Sequence, residues 1–302
     1  MDKDQKTLLI NKRKRMVKQT IKYSIIIISA FIMLYPLIWI IGASFNQTAK
    51  ASFWFWPETL TLIGWKESFT APGWGSQQGF SLIRAFVNTM SYTLPYVFFM
   101  TATTLLTAYA VTRMHFKGKK LIFALIIGTL LMPNTIFRIP MFAFWTSPLM
   151  SPLWEGSNSA FIQFIPIWSG GLFAVNSFSV FMFIQFFRTI PRDLDEAAYM
   201  DGANKFQVLF HVLMPILKPI VITVALLLFI SMYNDFQGPL IYRGRTITDP
   251  LSLVLPTLGL DSTNTYAHIY ARSIVSVAPL IFVFFTAQKY FVGNDADSAI
   301  KG

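Results

Sequence analysis

The chain has no cysteine, so disulfides, thiol nucleophiles and thiolate metal sites are all excluded. It has only three histidines, His115, His211 and His268, and none stands at a metal-ligand spacing from another, so each reads as an interfacial polar residue and no metal site is expected. No GxxxxGK[ST] phosphate loop occurs, which removes the usual glycine-rich cradle for binding and hydrolysing ATP. Charge is scarce as well. Only 13% of the 302 residues are charged while 54% are hydrophobic, a balance outside the soluble range and typical of a membrane protein. Internal repeats and low-complexity tracts are not evident, and the soluble stretches are too short to be separate domains, so residues 1–302 read as a single membrane domain.

What charge there is has a pattern. The net charge of +11 could suggest a nucleic-acid partner, but the basic residues gather at Lys12–Lys22, Arg113–Lys120, Arg188–Lys218 and after residue 288. The acidic residues divide almost evenly between the two sides of a six-span arrangement, so the excess positive charge lies on one side. That is the positive-inside signature and not a nucleic-acid face.

The apolar runs predict an all-α membrane protein with six spans. The first is Tyr23–Ile41, near the roughly 20 residues that a bilayer needs. It follows a basic stretch at 1–23 and lacks a clear small-residue cleavage site, so it reads as a span, or an uncleaved anchor with the same topology, and not as a signal peptide. An outward loop at about 46–83 follows, with Trp54, Trp56, Trp65 and Trp74 as an interfacial aromatic belt; sugar stacking is the alternative. The remaining spans are expected at about Arg84–Thr112, Leu121–Phe142, Ala160–Phe187, Ile216–Tyr233 and Ile269–Phe291. Pro133, Pro140, Asn134 and Arg138 inside the third span make it a segment that faces protein or water. In the fourth, Gly170 and Gly171 suggest a close helix contact, and Ser169 and Asn176 are expected on one face. Six spans put both termini in the cytoplasm.

Between the fourth and fifth spans stands a polar island at 189–214. Arg188, Arg192, Asp193, Asp195, Glu196, Asp201 and Lys205 crowd together there, and each would cost about 3 kcal/mol at the centre of a membrane helix. The spacing predicts two short surface helices. Asp193 is the expected cap of the first, with Glu196 reaching back, and Gly202 the left-handed stop. The second is expected over Asn204–Leu213, before Pro215. Leu194, Ala197 and Ala198 share a flat face at i, i+3, i+4 spacing that suits a docking surface. An amphipathic interfacial helix is the plainer reading, although such helices are usually basic with a bulky apolar face.

EAAYMDGA at 196–203, Met214–Pro215 and Lys218–Pro219 together resemble the EAA loop of the inner-membrane permeases of binding-protein-dependent ABC importers. LLTAYAVTRMHFKGKK at 105–120, FRTIPRDLDEAAYMDGA at 187–203 and YNDFQGPLI at 233–241 extend the likeness in order. The chain is most similar to the carbohydrate group, the smaller permease of maltose-type importers.

The resemblance implies a type I importer permease that is not itself an enzyme. Its implied partners are a second permease in a heterodimer, two ATP-binding subunits that hold ATP and Mg, an extracytoplasmic solute-binding protein and the lipid of a bacterial cell membrane. By that likeness Glu196, Ala197, Ala198, Asp201, Gly202 and Pro215 couple the chain to the ATPase. Asn134, Arg138, Asn176, Asn234 and Asp235 are candidates for the path or an outer gate. Arg138 and Asp235 fall at similar depth and could pair, or Arg138 could snorkel to water. The outward loop at 238–268 occupies the position that in maltose-type importers reaches the binding protein, with Arg243, Arg245 and Thr246 as candidates. The tail at 293–302 resembles one that enters the ATPase dimer, but carries Asp295 and Asp297. The substrate is expected to be an oligosaccharide, with another solute such as glycerol phosphate as the alternative. An ATP-independent transporter or an intramembrane enzyme would need a repeat or paired groups at depth, neither of which is evident.

Overall fold

The computed structural model describes residues 3–46, 60–70, 82–133, 135–244, 246–257 and 267–290. The chain runs through α1 (Lys3–Ser44), α2 (Ile63–Thr70), α3 (Leu82–Arg113), α4 (Lys119–Leu130), α5 (Thr135–Trp145), α6 (Ala160–Gln163) and α7 (Ile165–Trp168). It continues through α8 (Ser177–Thr189), α9 (Asp193–Met200), α10 (Lys205–Gln207), α11 (Met214–Tyr233), α12 (Gln237–Ile241), α13 (Leu251–Thr257) and α14 (Ala267–Ala287). An isolated bridge between Asn46 and Leu60 is the only β pairing among the described residues.

Five helical segments are long and apolar enough to cross a membrane, or six if the bent pair α4 and α5 counts as one span. At about 1.5 Å per residue, the 42-residue α1 is about 63 Å long, roughly twice a bilayer core, so its basic turns extend past the apolar Tyr23–Ile41.

The described residues within 1–68 and 262–274 form one compact unit, and those within 69–261 and 275–302 form a second. In the first, Trp65 Nε1 donates to Ser44 Oγ at 3.2 Å, and the buried Arg272 donates from Nε to the Ser68 carbonyl at 3.1 Å. Trp39 meets Tyr270 edge to face.

The second unit is organised around α3, which packs on α8, α11, α13 and the α6–α7 segment. Its buried positions Thr89, Tyr92, Thr93, Met100, Thr104 and Ala108 recur at helical spacing and are almost wholly removed from solvent. Along α3, Thr104, Thr107 and Thr112 return their hydroxyls to carbonyls four residues back, whereas the buried hydroxyls of Thr93 and Thr101 have no hydrogen-bond partner among the described residues.

Two expected spans are not continuous helices. The third breaks at Pro133, whose ring cannot continue the ladder, and α4 meets α5 at 103°. The fourth is helical without interruption only over Ser177–Thr189. Before it, α6 and α7 give way to a 3-10 stretch at Ser169–Phe173, and Ala174 adopts a left-handed conformation with φ 50°. Ser169 and Asn176 therefore do not share a helical face; Asn176 caps α8 by accepting from the Ser179 amide at 2.9 Å. The expected close contact does hold for Gly171. A Cβ there would lie 3.0 Å from the Tyr96 carbonyl and 3.1 Å from the Met100 nitrogen, so any side chain would press this backbone away from α3. The stretch after Tyr233, expected as an outward loop, is not a plain loop either, because it forms α12, a 3-10 turn at Thr246–Thr248 and α13, which packs on α3.

Candidate functional site

The polar island folds as a helical elbow between α8 and α11. α8 stops at Thr189, ahead of Pro191, and α9 begins at Asp193 with Arg192 as its N-cap. The expected Asp193 cap does not form. The Asp195 and Glu196 amides bond instead to the Arg192 carbonyl at 2.9 and 3.1 Å, while Asp193, Asp195 and Glu196 in the first turn complement the positive end of the helix dipole. Gly202 has φ +83° and ends the helix in the left-handed turn expected of it, the Ala203 amide reaching the Ala198 carbonyl at 3.0 Å.

The second element is not an isolated short helix. Asn204 and Gln207 form a reciprocal capping box, which the N-x-x-Q spacing could have signalled, and α10 passes through a π-helical turn at Val208–Leu213 straight into α11. The wide turn relieves the crowding that Pro215 would impose on a regular helix, so Pro215 sits in the first turn of α11 without ending the rod. A force on α10 is thus a force on the whole of α11.

The faces of α9 divide differently from the alanine pattern. Ala198 and Asp195 point into the protein and are 8% exposed, whereas Leu194, Glu196, Ala197, Tyr199 and Met200 face out, with Met200 at 89%. Ala198 therefore belongs to the internal core and not to the docking face. Phe206 and Phe210 extend the exposed apolar surface onto the next turns.

The inner face is held by Arg113, the last residue of α3. Its Nε lies 3.2 Å from Asp195 Oδ2, and its Nη2 donates to the carbonyls of Phe187 at 3.2 Å and Ile190 at 2.8 Å. One buried guanidinium thus ties the end of α8 and the first turn of α9 to α3. The Nε contact is an ion pair without hydrogen-bond alignment, and Asp195 Oδ1 has no hydrogen-bond partner among the described residues. Burial pushes the Asp195 carboxyl above the usual carboxylate range, and the opposing pull of Arg113 only partly offsets it. Tyr109, one turn earlier on α3, donates to the Lys205 carbonyl at 2.9 Å, and Arg192 Nη2 reaches the Thr112 carbonyl at 3.4 Å. Arg113 and Asp195 were visible in the sequence only as members of charge clusters. Their pairing links residues far apart in the chain, and no local spacing announces it.

At the other end of the bundle Arg138 Nη2 lies 3.5 Å from Asp235 Oδ1, so the structure brings that pair together. Asp235 Oδ1 also accepts from the Gly238 amide at 3.2 Å, and Asn234 closes α11 by donating to the Ile230 carbonyl. Asn176 is used in its cap, and Asn134 lies outside the described residues. Arg243 is bound within the chain by a two-point contact with Asp249, 3.1 Å from Nε to Oδ1 and 2.6 Å from Nη2 to Oδ2. Thr246 opens the 3-10 turn; Arg245 and the tail at 293–302 lie outside the described residues.

Candidate spans α8 and α11 packed on α3, with a polar elbow carried between them, mark a multi-pass membrane protein. The fold is shared with a solved bacterial ABC transporter "involved in the import of the acidic polysaccharide alginate", at a TM-score of 0.73 over 93% of this chain and 98% of that one, with 24% identity. Residues 101–293 match the family described as "Binding-protein-dependent transport system inner membrane component", and the chain belongs to that family. Similar relatives include the galactooligosaccharides transport system permease protein GanQ of Bacillus subtilis, 28% identical over 96% of this chain and 98% of that protein. They also include the trehalose/maltose transport system permease protein MalG of Thermococcus litoralis, 30% identical over 65% of this chain and 68% of that protein.

Proposed function

We propose that this chain is the transmembrane permease subunit of an ATP-driven oligosaccharide importer, with its α9–α10 elbow on the cytoplasmic side and both termini inside. ATP and Mg are bound by two separate ATPase subunits, a second permease completes the path as a heterodimer, and an extracytoplasmic binding protein delivers the solute. The names of the relatives support the carbohydrate class. A second similar structure, of a bacterial alginate transporter "in complex with alginate pentasaccharide-bound periplasmic protein", supports the binding protein as a partner.

The observation that carries the reading is the two-sidedness of α9. Its outer face presents Glu196, Ala197 and Met200 to a partner, while its inner face is fixed to α3 and α8 through Asp195 and Arg113. A surface helix that merely rested on lipid would not need its inner face fixed through a buried charge. Docked in an ATPase cleft, with Glu196 facing a basic residue there, the elbow moves with ATPase closure. Because α8 and α11 continue directly from it, the spans tilt and access alternates between the two sides.

Two substitutions test this. Glu196→Ala removes an exposed charge, and Gly202→Asp forces a side chain into a left-handed turn at a cost of about 1–2 kcal/mol, with open space around the new Cβ. Both should abolish uptake by the reconstituted transporter while membrane insertion stays normal. Normal transport by both variants refutes the lever.

A further inference from the structure

Beyond the elbow, we propose that α3 is the rod that carries the binding-protein signal across the membrane, with Asn88 and Thr89 as its positioning residues at the outer end and Tyr109 and Arg113 at the inner end. The proposal rests on the permease reading above.

Each end of α3 grips the segment that would meet a partner on that side. At the outer end Asn88 Nδ2 donates to the carbonyls of Ile247 at 3.1 Å and Asp249 at 3.2 Å. The buried Thr89 hydroxyl accepts from the Leu251 amide at 2.9 Å while donating to the Ala85 carbonyl. That amide is the first of α13, a donor that the helix itself leaves unsatisfied, so Thr89 caps a helix that lies far away in sequence. Leu251 then packs with Leu82, Ala85, Phe229 and Tyr233. At the inner end Arg113 and Tyr109 hold the two elements of the elbow, as described above.

From Asn88 to Arg113 is about 37 Å along one helix. Pro95 removes a single rung, at the Ser91 carbonyl. The helix is braced there: Tyr92 stands edge to face on Phe164 at 5.1 Å, Gly171 lies against Tyr96–Met100, and Thr103 donates to the Gly171 carbonyl at 2.7 Å. A displacement of the 247–251 segment by a docking protein is therefore passed along a packed helix to Asp195 and Lys205. α8 and α11 form the elbow's own arms, and α11 leads on through α12 toward the same outward segment; α3 lies outside the elbow and is hydrogen-bonded at both ends, to the elbow and to the 247–251 segment.

The test uses the complete transporter in lipid nanodiscs, with ATPase activity measured while solute-loaded binding protein is titrated. The Thr89→Val and Tyr109→Phe variants each delete one hydroxyl with little change of shape, and thermal melts establish that both fold. Each should lower the saturating stimulation by about fivefold, the worth of one hydrogen bond. The concentration of binding protein giving half stimulation should stay the same. A changed half-stimulation concentration with an intact plateau would show that Thr89 serves docking only and would overturn the rod, as would an undiminished plateau in the Tyr109→Phe variant. If the wild-type complex shows neither stimulation nor uptake, the permease reading falls, and the rod with it.

Discussion

Replacing Arg113 by leucine removes a charge that holds three groups, the Asp195 carboxylate and the Phe187 and Ile190 carbonyls. The substitution leaves the Asp195 carboxylate buried, with 11% of its side chain exposed, and takes the donor from the Phe187 and Ile190 carbonyls. Breaking a buried ion pair by removing one partner costs about 3–5 kcal/mol, and the carbonyl bonds share in that figure because they depend on the same group. Spent locally, this would raise the opening of α9 by about two to three and a half powers of ten. Amide exchange over residues 193–200 should accelerate accordingly, with core amides such as those of Phe183 and Met100 nearly unchanged. Asp195→Asn should cost less, because burial already opposes ionisation there more strongly than Arg113 favours it. Replacing both by leucine should recover most of the protection, since no unpaired charge remains. The reasoning is refuted if Arg113→Leu leaves exchange at 193–200 unchanged, or if Asp195→Asn proves the more damaging of the two.

Gly171→Ala drives a methyl into the α3 backbone and should lower stability by about 1–3 kcal/mol, whereas Gly170→Ala meets only Val175 Cγ2 at 3.5 Å and should be tolerated; thermal midpoints in detergent decide. For Arg138 and Asp235, reversing either charge should impair uptake, and reversing both should restore part of it. No rescue in the double reversal would dismiss the gate. Burial also raises the pKa of the Asp249 carboxyl, against the pull of Arg243. In the window between its unfolded and folded values the native chain binds the extra proton, so this contribution is present at low pH and is lost as pH rises through the folded value. Any stabilisation by Asp249→Asn should therefore be largest at neutral pH and vanish on acidification; a gain that grows on acidification contradicts the sign.

How far the fold was legible follows from how local each cause is. The first, second, fifth and sixth spans are long, predominantly apolar runs; α1, α3 and α11 cover the first three of these, and α14 covers the sixth as far as Ala287. Gly202 was legible because a left-handed turn needs a glycine wherever it occurs. The breaks in the third and fourth spans were not, since Pro133 can kink a helix or end it, and Ala174 in a left-handed conformation carries no residue signal. Equal depth in the bundle was enough to suggest Arg138 with Asp235. The Arg113–Asp195 contact joins α3 to α9, with five α-helices between them in the chain, and only packing shows it. Ala198 was misplaced for a related reason: alanine suits a docking face and an internal contact equally, and burial alone distinguishes them.

The central claim is that the outer face of α9 lies inside the cell against an ATPase. The natural absence of cysteine makes one measurement direct. In a Met200→Cys chain, at a position 89% exposed, a membrane-impermeant thiol reagent should label inside-out vesicles only, and bound ATPase subunits should block the label. Labelling of right-side-out vesicles, or equal labelling with and without the ATPase subunits, would contradict the account.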